Sequence, residues 1–244
     1  MADPADTPPF PGAVGISHLR VYDWEAPDGL RGGTPHVHSV CTEAYAVASG
    51  SGAVQTLTPR GFEEIPLEPG SFVWFTPGTI HRLINGGGLE IFVLMQNAGL
   101  PEAGDMVITF ADDLLADPGA YAAAATLPED ERTTSGTGEA ARLRRDRAVE
   151  GFAAIRAGGD AALDRFHQRV AALLAPRAAS WFSIWERGPL AAVERTGEQL
   201  ARLVESATAP HLADAAVHGL PPAGDQRRMG CCGTLGVYLP VVPA

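Results

Sequence analysis

Up to about residue 111, short stretches rich in Val, Ile, Phe, Tyr and Thr alternate with Gly and Pro. Segments 16–24, 43–49, 53–59, 72–77, 81–85 and 89–97 each predict a β-strand. Their close spacing leaves no room for crossover helices, so they predict an antiparallel sandwich or barrel. Gly86, Gly87 and Gly88 fall between two of these segments and predict a hairpin turn. Beyond Asp112 the period changes. Leu163, Phe166, Val170 and Leu173 step by three and four, as one buried helix face requires. Leu190, Val193, Leu200, Leu203 and Val204 repeat the pattern, a third helix is predicted over 139–157, and a shorter one near 112–125. Polar, turn-rich segments 127–138 and 218–228 predict loops, and "TLGVYLPVV" (234–242) predicts one last strand. The domain reading is therefore a β-barrel over 1–111 with a flexible lead-in at 1–13, a helical extension over 112–229, and a terminal segment, 230–244, returning to the barrel. On that reading residues 234–239 join a sheet, Pro240 ends the pairing, and Gly230 to Gly233 allow close backbone approach.

Charge and composition narrow the function. The 244 residues carry a net charge of −11, which repels phosphate backbones, so nucleic acid is not an expected partner. All the basic residues are arginine, which excludes lysine Schiff-base or general-base chemistry. No apolar run approaches the roughly 20 residues of a membrane helix, and the acidic, Pro-rich start has no secretion-signal pattern. The expectation is a cytoplasmic protein without a membrane partner. Three cysteines (Cys41, Cys231 and Cys232) do not form a disulfide framework, and the Cys231–Cys232 pair is read as packing. The apolar helix stripes, which need covering, predict a homodimer.

Candidate chemistry concentrates in two places. "GGTPHVHSVCTEAYAVASGSG" (32–52) holds His36, His38 and Glu43, and "PGSFVWFTPGTIHRLIN" (69–85) holds His81. His36 and His38 share one strand face, and a hairpin can bring Glu43 beside them. Three imidazoles and a carboxylate form a mixed N/O set suited to one divalent transition metal, Fe or Mn by preference, then Zn, Ni, Co or Cu. His18, His167, His211 and His218 lack such company, and His167 is expected in solvent.

Both stretches resemble the paired motifs of the cupin superfamily. The first has His-x-His, four residues, Glu43, six residues and Gly50; the second has Gly70, Gly78, His81 and Asn85 at the expected spacing. Thr76 stands where the motif usually has proline, with Pro77 immediately after it. The resemblance spans about residues 14–111. It implies a mainly β fold with added helices, a cupin-type antiparallel β-barrel (double-stranded β-helix or jelly roll), in which His36, His38, Glu43 and His81 bind one metal. Cupins with this ligand set include dioxygenases, sugar isomerases, decarboxylases and lyases, and non-catalytic sensor modules. Tyr45 is expected to point inward as a hydrogen-bond partner or proton donor, and Gln96 to offer a polar contact, both as candidate catalytic residues. Trp74, Phe75 and Phe92 suggest an aromatic cavity, and Arg82 is the one cation beside a ligand in the barrel half. So little positive charge disfavours a phosphorylated substrate. The functional expectation is a metal-dependent enzyme on a small, uncharged or weakly acidic oxygenated molecule, with an oxygenase as the first reading. The alternatives are an isomerase, epimerase or lyase using a Lewis-acid ion, and a non-catalytic binding module.

Overall fold

The computed structural model describes residues 9–238. The first eight residues of the lead-in, and the expected role of Pro240, lie outside the described residues. Seven strands come first: β1 (Gly15–Val21), β2 (His36–His38), β3 (Glu43–Thr58), β4 (Gly61–Leu67), β5 (Phe72–Phe75), β6 (Ile80–Met95) and β7 (Met106–Ile108). The helices follow as α1 (Asp112–Ala116), α2 (Pro118–Ala125), α3 (Glu139–Ala157), α4 (Gly159–Trp185) and α5 (Ala191–Ser206), and the chain closes with β8 (Arg228–Met229) and β9 (Gly233–Tyr238). Every strand pairing is antiparallel, in the order β4-β3-β6-β1-β9-β8, with β5 on β3 and β2 between β6 and β7. This is an antiparallel β-barrel with added helices.

Four of the strands expected from the sequence fuse into two. Segments 43–49 and 53–59 are one strand, β3, and 81–85 and 89–97 belong to one strand, β6. The pair runs from Glu43↔Met95 to Leu57↔Ile80, with register shifts between Val47 and Gly52. Gly86 to Gly88 are therefore a bulged stretch inside β6 rather than a hairpin turn. Asn85 explains how the bulge survives: its Oδ1 accepts from the backbone N–H of Gly87 and Leu89, while its Nδ2 donates to Val21 O. One side chain thus satisfies backbone groups that the ladder leaves unpaired. The bulge marks where β3 changes neighbours, from β5 at Glu43–Ala46 to β4 at Gly52–Thr58.

Two apolar clusters carry the packing. One fills the barrel interior with Leu19, Tyr45, Val54, Leu83, Ile91 and Cys232 among others. The second joins the outer face of the barrel to the helices, where Val37, Ile80, Ile108 and Phe110 meet Phe152, Ile155, Leu163, Phe166, Val170 and Leu173. The stripe 163–173 read from the sequence is the face of α4 that seals this contact. Thr109 fastens it, its hydroxyl bonding to Pro35 O and to Ala148 O of α3. The stripe on α5 behaves differently. No residue of α5 is buried, and Val193, Leu200, Leu203 and Val204 are exposed, so the second stripe has no covering surface among the described residues. A π-helical turn at Glu186–Leu190, containing Pro189, separates α5 from α4.

The chain end returns to the barrel. β9 pairs with β1 from Ile16↔Tyr238 to Val21↔Gly233. A Cβ on Gly233 would lie 2.0 Å from Arg20 O, so only glycine permits this approach. The buried Arg227 bonds to His18 O and Thr234 O, bridging β1 and β9. Among the described residues, no helix is long and apolar enough to cross a membrane. Truncation after Arg228 removes β9 and uncovers apolar barrel wall at Leu19. The expected outcome is aggregation or loss of a cooperative thermal transition, read by scanning calorimetry and light scattering; an unchanged melting temperature would contradict it.

Candidate metal centre

Each member of the cluster is set by local backbone geometry. His36 and His38 are the outer residues of the three-residue β2, so period-two alternation points both inward. His36 stands opposite His81 in the β2–β6 pairing, and Glu43 opens β3. The turn before His81 has Pro77 and then Gly78 at φ 88°, with Thr79 N–H donating to Thr76 O at 3.2 Å. That is the type II arrangement, in which Pro presets the first central residue and Gly supplies the positive φ of the second. Thr76 in place of proline leaves it intact. Gly78 N–H donates to His38 O at 2.9 Å, tying the turn that carries His81 to the strand that carries His38. His167 of α4 lies against this turn, its Nε2 donating to Gly78 O at 2.9 Å, so it is a packed residue rather than a solvated one.

The nitrogens decide the chemistry. His36 Nδ1 is 2.8 Å from Thr34 O, His81 Nδ1 3.1 Å from Thr79 O, and His38 Nδ1 2.6 Å from Asp105 Oδ1. These partners are acceptors, so each Nδ1 holds a proton, and a ring that is neutral turns an Nε2 lone pair inward. His36 Nε2 and His81 Nε2 are then 3.1 Å apart, with Glu43 Oε2 3.1 Å from His81 Nε2 and 3.6 Å from His38 Nε2. Glu43 Oε2 is buried without a hydrogen-bond partner among the described residues. Four acceptors converge, their ligand atoms all within 4.8 Å of one another. A cation at their centre satisfies all four, and the residues present fit a divalent metal.

Electrostatics divide the cluster: His36 is held neutral, whereas His38 and Glu43 favour their charged forms. Burial, helped by the neighbouring His81 and His38, holds the His36 imidazole well below its ordinary pKa and so neutral. Burial alone would raise Glu43, but the close imidazoles of His81, His38 and His36 outweigh it and hold the carboxyl down at about 2. Burial opposes the charged form of His38 too, yet Asp105 and Glu43 overcome it and raise its pKa. Asp105 is wholly buried, and a weaker contact from Val40 N–H at 3.4 Å ties it to the loop before Glu43. Sequence reasoning missed it: its signal was only an acid between Gly104 and an apolar run.

A cavity of about 320 Å³ opens onto His36, His38 and Glu43, within the usual range for small-molecule sites. Tyr45 lines it, with its ring edge-on to Phe75 at 5.3 Å. Burial and the Glu43 charge push the Tyr45 phenol well above its ordinary pKa, leaving it a neutral donor. Gln96 does not reach the cavity: it follows the end of β6, is exposed, and its Oε1 accepts from Thr42 N–H. None of the three expected aromatics lines the cavity: β5 alternates and turns Trp74 outward at 66% exposure, Phe92 is also on the outer face, and Phe75 is packed in the barrel core. Arg82 is buried but paired with Asp28, away from the cavity lining. The walls are instead largely aliphatic, from β1, β6 and β9, together with Cys231 and Cys232. Cys232 Sγ lies 4.0 Å from His36 Nδ1, on the side of the ring away from the cluster, which keeps it out of the ligand set. Burial raises both thiols, so they are neutral wall residues.

A family model described as Cupin domain matches residues 23–95. No curated protein matches the chain. Among solved structures, Streptomyces PAC13 with uridine is 15% identical at a TM-score of 0.27, over 39% of this chain and 62% of that one. The WlaRB TDP-quinovose 3,4-ketoisomerase from Campylobacter jejuni is 16% identical at a TM-score of 0.28, over 32% and 60%. A Klebsiella pneumoniae protein with a double-stranded β-helix domain is 22% identical at 0.25, over 34% and 63%. The chain thus spans less than two thirds of the length of each.

His36→Ala and His81→Ala are each expected to lower metal content at least severalfold by elemental analysis, since each removes one of few ligands. Full occupancy in both would refute the site. Asp105→Asn is expected to weaken metal affinity by about 10–100-fold with the fold retained, as loss of a histidine's carboxylate partner does elsewhere. Competition with a chelator measures it, and wild-type affinity in the variant would reduce Asp105 to a loop anchor.

Proposed function

On the premise that this chain carries a cupin domain, we propose a metal-dependent enzyme acting on a small oxygenated molecule, and specifically an oxygenase. The observation that supports it is the convergence of three Nε2 lone pairs and the Glu43 carboxylate at the floor of a largely apolar cavity. His36, His38, Glu43 and His81 would hold the metal, which when bound polarises a substrate oxygen and offers open positions for further ligands. Iron or manganese suits this neutral-nitrogen and carboxylate set.

The protein's own groups do the rest. Thr34 O, Thr79 O and Asp105 fix the ring orientations, so the cluster needs no rearrangement to receive an ion. Aliphatic walls at Leu19, Val93 and Leu235 exclude water and strengthen every charge interaction within. Tyr45 presents a neutral phenol at that floor, placed to donate a hydrogen bond or a proton to a bound oxygen. This phenol is also what favours the second reading, an isomerase, epimerase or lyase in which the ion acts only as a Lewis acid.

The test is metal analysis of protein purified without added metal, followed by oxygen-electrode measurements on a panel of small oxygenated substrates. Iron with substrate-dependent oxygen uptake is the expected result. Turnover without oxygen uptake, with Mn or Zn bound, would move the assignment to the Lewis-acid reading. Absence of any bound metal would remove both.

A further inference from the structure

The barrel half of the sequence has few cations, but the folded cavity gains one from outside it. Arg144 of α3 forms part of the cavity wall, as does Arg228 at an exposed position. Arg144 is only 8% exposed. Its Nη1 donates to Ala125 O at 3.2 Å and its Nη2 to Gly230 O at 2.7 Å, while its Nε is buried with no partner. Among the described residues no carboxylate lies within ion-pair distance of it.

The other buried arginines show how unusual that is. Arg82 pairs with Asp28, and Arg145 pairs with Asp146 while donating to three backbone carbonyls. Arg227 has neither a carboxylate nor a cavity, but its Nε and Nη2 both reach Thr234 O. Arg144 alone combines an unmatched charge, an unpaired donor and a place on the cavity wall. Burying a guanidinium without a counter-charge is costly, and proteins do so where a partner arrives.

We propose that Arg144 is the anchor for a substrate carboxylate, so that the cavity takes a small carboxylic acid whose far end carries the oxygen directed at the metal cluster. The inference rests on reading this cavity as the substrate site. Two of the five guanidinium donors are committed to Ala125 O and Gly230 O, and the side carrying Nε remains, which suits the two oxygens of a carboxylate. A phosphate dianion would draw on more donors than the remaining side of Arg144, and a phosphate ester is therefore one arm of the test. Acid selectivity therefore comes from the helical extension, while the metal ligands come from the barrel.

The test compares pentanoate, pentanamide and pentyl phosphate as probes of full-length protein as purified, by NMR titration with observation of the Arg144 Nε–H resonance. Pentanoate is expected to bind at least about tenfold more tightly than pentanamide and to shift that resonance, as a charge-assisted bond requires. Arg144→Gln, which keeps a neutral donor, should abolish the difference. Equal affinities in wild type, a pentyl phosphate preference, an unmoved Nε–H, or a carboxylate preference that persists in Arg144→Gln would each overturn the proposal. The wild-type comparison suffices should the variant fail to fold. Elemental analysis of the same samples separates the two readings: carboxylate preference without metal keeps this proposal and removes the metalloenzyme, and metal without preference does the reverse.

Discussion

Three hydrogen bonds on the outer side of the cluster determine what its inner side can be. Because Thr34 O, Thr79 O and Asp105 Oδ1 each accept from an Nδ1, none of the three imidazoles can keep its proton on Nε2 while neutral. The inward atoms are then lone pairs by elimination, and Glu43 adds a carboxylate to them. A set this close needs a proton or a cation to pair its lone pairs, and the surrounding strands over-determine the four positions. β2 fixes His36 and His38, the Pro77-Gly78 turn fixes His81, and the β3–β6 pairing fixes Glu43.

This dependence explains why so much structure surrounds so small a centre. The turn before His81 is held from one side by β2, through Gly78 N–H to His38 O, and from the other by His167 of α4. Leu163, Phe166 and Val170 on the same helix pack against Val37 and Ile80, the residues between and beside the histidines. The helices are in this sense a backing plate for the strands that carry the histidines, and a cavity in that interface would be felt at the cluster before it was felt elsewhere. Behind Cys231 and Cys232, β9 closes the opposite wall.

Much of this could be read from residues alone, and the failures have definite causes. The four convergent residues were legible because their spacing is local: alternation within one strand, one hairpin, one Pro-Gly turn. Asp105 was not, because its role depends on β7 pairing with β2 across some seventy positions, a contact without any sequence period. The triple glycine suggested a turn because glycine permits both turns and bulges, and only the Asn85 side chain decides between them. Trp74 was misplaced for a different reason. Strict alternation from Phe75, which faces inward, puts Trp74 on the outer face, and aromatic content was read where phase should have been. Gln96 fell just past the last residue of β6, where alternation no longer governs direction.

The helix α3 shows the same lesson from the other side. Its buried positions, Ala141, Ala148, Val149, Phe152 and Ile155, define one face, and Arg144 and Arg145 occupy the same face by phase. A pair of arginines on the apolar side of a helix is a local contradiction between period and polarity, and such contradictions need a compensating partner. For Arg145 the compensation is visible in Asp146 and the carbonyls of Trp24, Glu25 and Gly32. It is therefore structural, a pin between α3 and the loop ahead of β2. For Arg144 the described residues supply two carbonyls and no charge, on the wall of the cavity that the histidine cluster faces. Two adjacent residues of one type, equally misplaced by pattern, thus divide by what meets them: one completes the fold, and the other leaves a charge for something outside the chain to complete.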